Sequence, residues 1–331
     1  MGFKSYKSFG SQNIQNAGSN ISALEVVTPV KKTIVIACGN GTNQFATSSD
    51  MGVSWVVPST KVFGAYGYRG AFDGSRVIIG GNNNISYSDD FGTTWTNTGF
   101  TPLGSVYEVI YISATKTWFA VGQNGTNYDH RTMARSTDGI NWTLLSNTLF
   151  DNGICYNVVY NGSTYIAVGK STTYPMAVSS DGINWSFNTT YQGTTNGICL
   201  LYDGSKYLFG GSGNAYATSQ DGITWTSNTP IPLYTVFCIA YNGKDTYVAC
   251  GTRTTNSNFY WSNDSITWYP ANNNLLGNNV YWVDWNGTNF VACGQIFAGS
   301  TILYSPDGKT WTASTNSPFT TNGYGITSIT Y

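Results

Sequence analysis

The stretch Ser179-Ser180-Asp181-Gly182-Ile183-Asn184-Trp185 returns, with small changes, as Ser219-Gln220-Asp221-Gly222-Ile223-Thr224-Trp225. Further copies run from Ser136 to Trp142, from Ser262 to Trp268 and from Ser305 to Trp311. Two earlier ones, Ser48 to Trp55 and Ser88 to Trp95, carry one extra residue before the glycine. Asp-Gly between alternating apolar runs is a hairpin signal, because glycine adopts positive φ at little steric cost. The carboxylates of Asp50, Asp90, Asp138, Asp181, Asp221, Asp264 and Asp307 can accept backbone N–H bonds within their own turns, and the serine hydroxyls can do so more weakly. The tryptophan brings a large apolar surface to the underside of the turn. In the sixth copy Ser265 stands where the others have glycine, so that turn must find another geometry or bear strain.

Trp55, Trp95, Trp142, Trp185, Trp225, Trp268 and Trp311 are separated by 40, 47, 43, 40, 43 and 43 residues. A period of about 40–50 residues is that of a propeller blade. Each unit reads as four strands, A to D. In the fourth they are Ile154–Tyr160, Thr164–Gly169, Pro175–Ser180 and Asn184–Phe187, and in the fifth Ile198–Tyr202, Lys206–Gly210, Ala215–Ser219 and Thr224–Ser227. The expectation is an all-β fold: a seven-bladed β-propeller of four-stranded antiparallel blades, one domain over 21–331 behind a polar tail, 1–20. Gly323–Tyr331 reads as one more strand A, and so does Ile21–Thr28, so two segments compete for the inner slot of the first blade. The C-terminal one is favoured, because closing the ring with it removes an open sheet edge.

The pattern S-x-D-(x)-G-x-[TSN]-W resembles the Asp-box, or BNR repeat, of sialidases, sortilin-type receptors, some glycoside hydrolases and photosystem assembly factors. It is also similar to repeats in structural proteins of phages and giant viruses. The resemblance spans nearly the whole chain and implies the propeller, but fold and activity are separate matters.

Composition narrows the function classes. Charged residues are 9% of the 331 and the net charge is −1, with no basic cluster, so the electrostatic footprint of a nucleic-acid binder is missing. A neutral polar surface suits other proteins of an assembly or neutral glycans. No apolar run reaches 18 residues and the N-terminus lacks a signal-peptide core, so no membrane insertion or export is expected. The six cysteines lack metal-ligand spacing. Cys38, Cys250 and Cys293 sit where other units have Val121 and Val168, as small buried hydrophobes. Free thiols made in a reducing cytoplasm are the expectation, with virion association a further one. No cofactor or metal is expected.

Two groups of residues are candidates for a site. Loops on the face opposite the boxed turns carry Tyr128, Asp129, His130 and Arg131, with Tyr174 and Arg253 on neighbouring loops; His130 is the only histidine. On the innermost strands, four residues before the A–B turn, the units carry Arg69, Glu108, Asn157, Cys199, Cys238 and Trp282. Arg69 and Glu108 lie on successive units, which predicts an ion pair in the channel wall. Sialidase-like chemistry, which the resemblance would allow, needs an arginine trio. The five arginines are Arg69, Arg76, Arg131, Arg135 and Arg253, and the family's N-terminal Arg-Ile-Pro signature is absent. A two-carboxylate glycosidase needs acids converging within about 5–10 Å. Yet Glu25 and Glu108 are the only glutamates, nine of the fourteen aspartates fall in hairpin turns, and the loop candidates are few, Asp129 and Asp151. The first reading is therefore a non-catalytic structural or protein-interaction module of a viral particle or surface assembly. The alternatives are a lectin-like binder of neutral glycans through the loop face and a divergent sialidase-like hydrolase.

Overall fold

The middle strands of the repeats are unbroken apolar runs ending in glycine, such as Tyr-Ile-Ala-Val-Gly and Phe-Val-Ala-Cys-Gly, and runs of this kind belong to strands covered on both faces. A computed structural model describes residues 31–58, 61–125, 130–146, 148–150, 153–254, 257–271 and 275–331, and Lys32–Tyr331 is one compact unit. The tail 1–20 and the segment Ile21–Thr28 lie outside the described residues. Among the described residues every element is a strand and the paired strands are antiparallel.

Consecutive strands pair in simple meanders. One is Gly197–Tyr202, Tyr207–Gly211, Tyr216–Ser219 and Thr226–Ser227, and three further separate sheets repeat it. Two more meanders share an eight-stranded sheet through the pairing of Ile154 with Gln123. The last consists of Gly323–Thr330, Thr33–Gly39 and Phe45–Ser48, with a bridge from Thr47 to Val56 in the outermost place. The C-terminal strand thus takes the inner slot, eight residues long. Its register runs from Thr330 opposite Thr33 to Gly323 opposite Gly39.

Each inner strand touches the inner strand of the next meander, and Val280–Trp285 leads on through Gly323–Thr330 to Gly67–Phe72. That closed ring of radial sheets is a β-propeller. The outer strands are shorter than the sequence suggests: Ser186–Phe187 and Thr226–Ser227 are two residues each, and the tryptophan stands just before them rather than within. It packs sideways on the adjoining sheet. Trp95 stacks on Phe45 at 4.5 Å and Trp311 on Phe259 at 4.2 Å. The apolar clusters likewise bridge neighbouring sheets, as where Ile166, Val168 and Met176 meet Tyr207, Phe209 and Ala217.

The boxed turns are built as their chemistry requires. Asp221 Oδ1 accepts from Ser219 Oγ (2.9 Å) and from the N–H groups of Ile223 (2.8 Å) and Thr224 (2.7 Å). Gly222 N donates to Ser219 Oγ at 2.8 Å, and Trp225 Nε1 to Gly222 O at 3.2 Å. Ser265 keeps this geometry at a φ of 61° that glycine occupies elsewhere. The extra residues of the long copies, Met51 and Phe91, are also left-handed and both act at the ring's seam. Met51 O accepts from Asn286 and Asn289 of the meander that begins at Val280, and the Phe91 ring stacks on Tyr331 at 3.9 Å.

The inner strands share one irregularity. The register slips between Cys155 and Asn157, between Gly197 and Cys199, between Val236 and Cys238, between Val280 and Trp282, and correspondingly elsewhere. A residue is bulged out at this point in each strand. The glycine opposite makes it possible: a Cβ on Gly122 would stand 1.9 Å from Ser105 O, and one on Gly251 1.9 Å from Thr235 O.

Candidate functional site in the axial channel

Four of the residues singled out on the inner strands meet in one layer across the channel. Arg69 Nη2 lies 3.7 Å from Glu108 Oε2, and Asn157 Nδ2 donates to the same oxygen. The guanidinium sits 3.7 Å over the Trp282 ring, and its Nε and Nη2 donate to Tyr107 O (3.1 Å) and Tyr156 O (3.0 Å). Asn157 Oδ1 accepts from Leu200 N at 3.2 Å. In the closing strand the corresponding residue is Gly325, where a Cβ would fall 2.1 Å from Tyr68 O and 2.7 Å from Arg69 Cγ. Glycine there makes room for the arginine. Burial pushes the Glu108 carboxyl up to about 7 from an ordinary 4.5, against the pull of Arg69.

On the loop side of this layer is a cavity of about 330 Å³. Its wall is made by the bulged residues: Tyr68, Tyr107, Tyr156, Ile198, Phe237, Tyr281 and Tyr324. Six of these seven positions are aromatic and their rings touch in series. Phe237 lies 5.5 Å from Tyr281, Tyr281 5.1 Å from Tyr324, Tyr324 5.7 Å from Tyr68, Tyr68 5.0 Å from Tyr107 and Tyr107 5.4 Å from Tyr156. Ile198 fills the remaining arc. Burial raises the Tyr107 phenol to about 12 and those of Tyr68 and Tyr156 also upward, so the belt is neutral. Tyr324 Oη accepts from Asn322 Nδ2 at 3.0 Å, and Tyr107 Oη donates to Gln123 at 3.0 Å.

The sequence reading missed this belt. Strict alternation would turn the residue before Arg69, Glu108 or Asn157 away from the channel, and the bulge turns it inward. The signal was present: an aromatic immediately before the channel position in six units, and a glycine ending the paired strand.

Of the loop residues singled out from sequence, the described ones do not line this cavity. His130 is exposed with a φ of 62°, Arg131 is half-buried beside it, and neither lines the cavity. Tyr174 packs on Phe187 at 5.7 Å, and Arg253 Nε donates to Asn278 Oδ1 at 2.8 Å. Tyr128, Asp129 and Asp151 lie outside the described residues. The six cysteines are buried and unbridged. Among the described residues no group of His, Cys, Asp or Glu is suited to hold a metal, and no helix is long and apolar enough to cross a membrane.

Known proteins resemble this chain in fold alone. No protein-family model and no curated protein sequence matches it. Among solved structures, YCF48 bound to a D1 peptide superposes with a TM-score of 0.56 at 16% identity, over 89% of this chain and 88% of that one. A nidogen/laminin complex gives 0.52 at 13%, over 89% and 98%. The GH74 enzyme of Niastella koreensis gives 0.51 at 16%, over 85% of this chain but 43% of its own.

Proposed function

We propose that the chain is a non-catalytic seven-bladed propeller built on Asp-box hairpins, one per meander, that binds a protein partner through its loop face. An apolar or aromatic side chain of the partner sits in the tyrosine-belted cavity. The belt carries this reading. It offers six ring surfaces, and the one charged group in its lining, Arg69, is engaged by Glu108, Trp282 and two carbonyls. A partner anchored by a carboxylate or phosphate would have to compete with Glu108 for Arg69, whereas a buried aromatic anchor in a pocket is the usual energetic centre of a protein interface. Two proteins of the same fold have been solved with a peptide or protein bound, which agrees with a protein partner. The scarcity of charge suits a packed assembly such as a particle surface. Against catalysis, Glu108 is tied by Asn157 and Arg69, and the single histidine stands away from the channel.

The test is a peptide-display selection on the full chain, repeated on a Tyr68→Ala, Tyr107→Ala double variant. Enriched peptides with a shared aromatic or aliphatic anchor, at least tenfold weaker on the variant, are expected. Peptides that bind both proteins equally would remove the cavity from the interface. One observation favours a second ligand class. Five of the belt residues are tyrosines, which pair ring surface with hydroxyl as neutral sugars require. Binding on a neutral-glycan array, lost in the same variant and with no peptide selected, would favour that reading.

A further inference from the structure

The channel opens at its other end, beside the boxed turns, into a cavity of about 630 Å³, well within the roughly 300–1,000 Å³ of ligand sites. The inner-strand position two residues beyond the Arg69 layer is Ala71, Ile110, Val159, Leu201 and Ala240 in five meanders and Thr327 in the closing strand. In the remaining one it is Asp284. An acid has replaced an apolar residue in an otherwise uncharged ring, and its side chain lines the cavity.

Among the described residues the ion pairs are Arg69–Glu108 and Arg76–Asp89, so Asp284 has no cationic partner. No lysine or arginine lines the cavity. Burial raises its carboxyl to about 6, and no cation offsets that rise as Arg69 does for Glu108. At neutral pH Asp284 is therefore mainly a half-buried carboxylate, eased by hydrogen bonds from Ser328 and the Trp285 backbone but without a counter-charge, an arrangement that remains costly. Apart from Glu108, Asn157 and Ser113 the lining is mainly aromatic and aliphatic, with Tyr111, Tyr160, Tyr202, Tyr241 and Trp285 supplying rings, while Arg69 already covers one face of Trp282. Rings of this kind attract a cation through their quadrupole, most strongly where water is excluded.

We propose that this cavity binds an organic cation, an alkylammonium or alkylguanidinium group, with its charge on Asp284 and its stem among the rings. The charge selects the head group and the apolar lining selects the stem. A bare metal ion is disfavoured, because the cavity offers two carboxylates rather than a full oxygen shell. The site is separate from the loop-face cavity and does not depend on what binds there.

The experiment titrates n-butylammonium and its uncharged isostere 1-butanol into the full chain at pH 7.5, read by ligand-observed NMR. The ammonium is expected to bind at least tenfold more tightly than the alcohol. Asp284→Ala, the residue already present at two corresponding positions, brings that ratio to about one. Tyr269→Ala, an exposed side chain on an outer strand that lines neither cavity, leaves it unchanged. Equal affinities in the parent protein, or a ratio untouched by Asp284→Ala, overturns the proposal. Should Asp284→Ala not fold, the parent protein at pH 4.5 serves instead. There Asp284 and Glu108, the two acids of the lining, are both protonated, so the preference for the cation must disappear. Acetyl-lysine methylamide and putrescine form the last arm. Whichever binds more tightly tells whether the cation arrives on a polypeptide or as a free amine.

Discussion

Ser265 occupies a backbone conformation that its counterparts Gly139, Gly182, Gly222 and Gly308 hold at φ of 72°, 68°, 73° and 71°. A left-handed residue with a Cβ costs about 1–2 kcal/mol, while glycine's extra chain entropy costs about 0.5–1 kcal/mol on folding. The Ser265 hydroxyl is also buried without a hydrogen-bond partner. Ser265→Gly is therefore expected to stabilise the protein by about 0.5–1 kcal/mol, seen as a higher urea midpoint at unchanged m. A lower midpoint would mean that the serine does more than fill a glycine's place. The break in the repeat was visible in the sequence; that the turn bears the strain rather than changing its geometry was not. Arg69 is the opposite case, a charge enclosed by partners. Arg69→Met strands Glu108 and is expected to cost about 3–5 kcal/mol at pH 8. The loss shrinks at pH 5.5, where Glu108 takes up a proton, and the Arg69→Met, Glu108→Gln pair recovers most of it. A loss independent of pH would show that packing on Trp282, rather than charge, is what the arginine supplies.

The hairpins and the inner strands respond to acid with opposite sign. In the boxes, hydrogen bonds from the turn hold the carboxyls down, to about 2 for Asp221 and Asp264 and also downward for Asp138 and Asp181, from an ordinary 3.8. A depressed carboxyl stabilises the fold above pH 3.8 and loses that contribution as pH falls toward 2. Burial raises Glu108 to about 7 and Asp284 to about 6. A raised carboxyl favours the fold most below its unfolded value, 4.5 or 3.8, and the advantage disappears as pH climbs through 6 and 7. The melting temperature is thus expected to peak near pH 4–5 and to fall on both sides. Glu108→Gln flattens the alkaline limb, and a curve that rises steadily to pH 7 would refute the assignment. The turns were readable in the sequence because their signals are local: Ser, Asp, Gly and Trp within seven or eight residues. The belt was not, because a bulge depends on pairing between two strands, and a one-residue slip reverses which side chains face the channel.

For the molecule as a whole, the ring depends on its last strand. Removing residues 323–331 leaves Thr33–Gly39 with an open edge, unstacks Phe91 from Tyr331 and takes Tyr324 from the belt. That truncation is expected to be aggregated or partly unfolded by light scattering, and adding a peptide of the same sequence restores a monomeric species. A stable truncated monomer would mean that the contacts of Met51, Gly52 and Trp55 with Asn286, Ser314 and Asn316 hold the seam without it. The propeller and the closing strand could be foreseen because period and patterning are carried along the chain. What lines the axis depends on which residues seven separate strands bring to one level.

The strand that seals the ring also fixes the order of events during synthesis. Thr33–Gly39 leaves the ribosome about 290 residues before Gly323–Thr330 exists to cover it. At about 5–20 residues per second this is roughly 15–60 s of translation. Throughout that interval Thr-Ile-Val-Ile-Ala-Cys-Gly, an uncharged β-branched segment, offers a free edge to any other nascent chain. Yield in a cell is consequently governed by elongation speed and by chaperones that shield the early strands, more than by the stability of the finished protein.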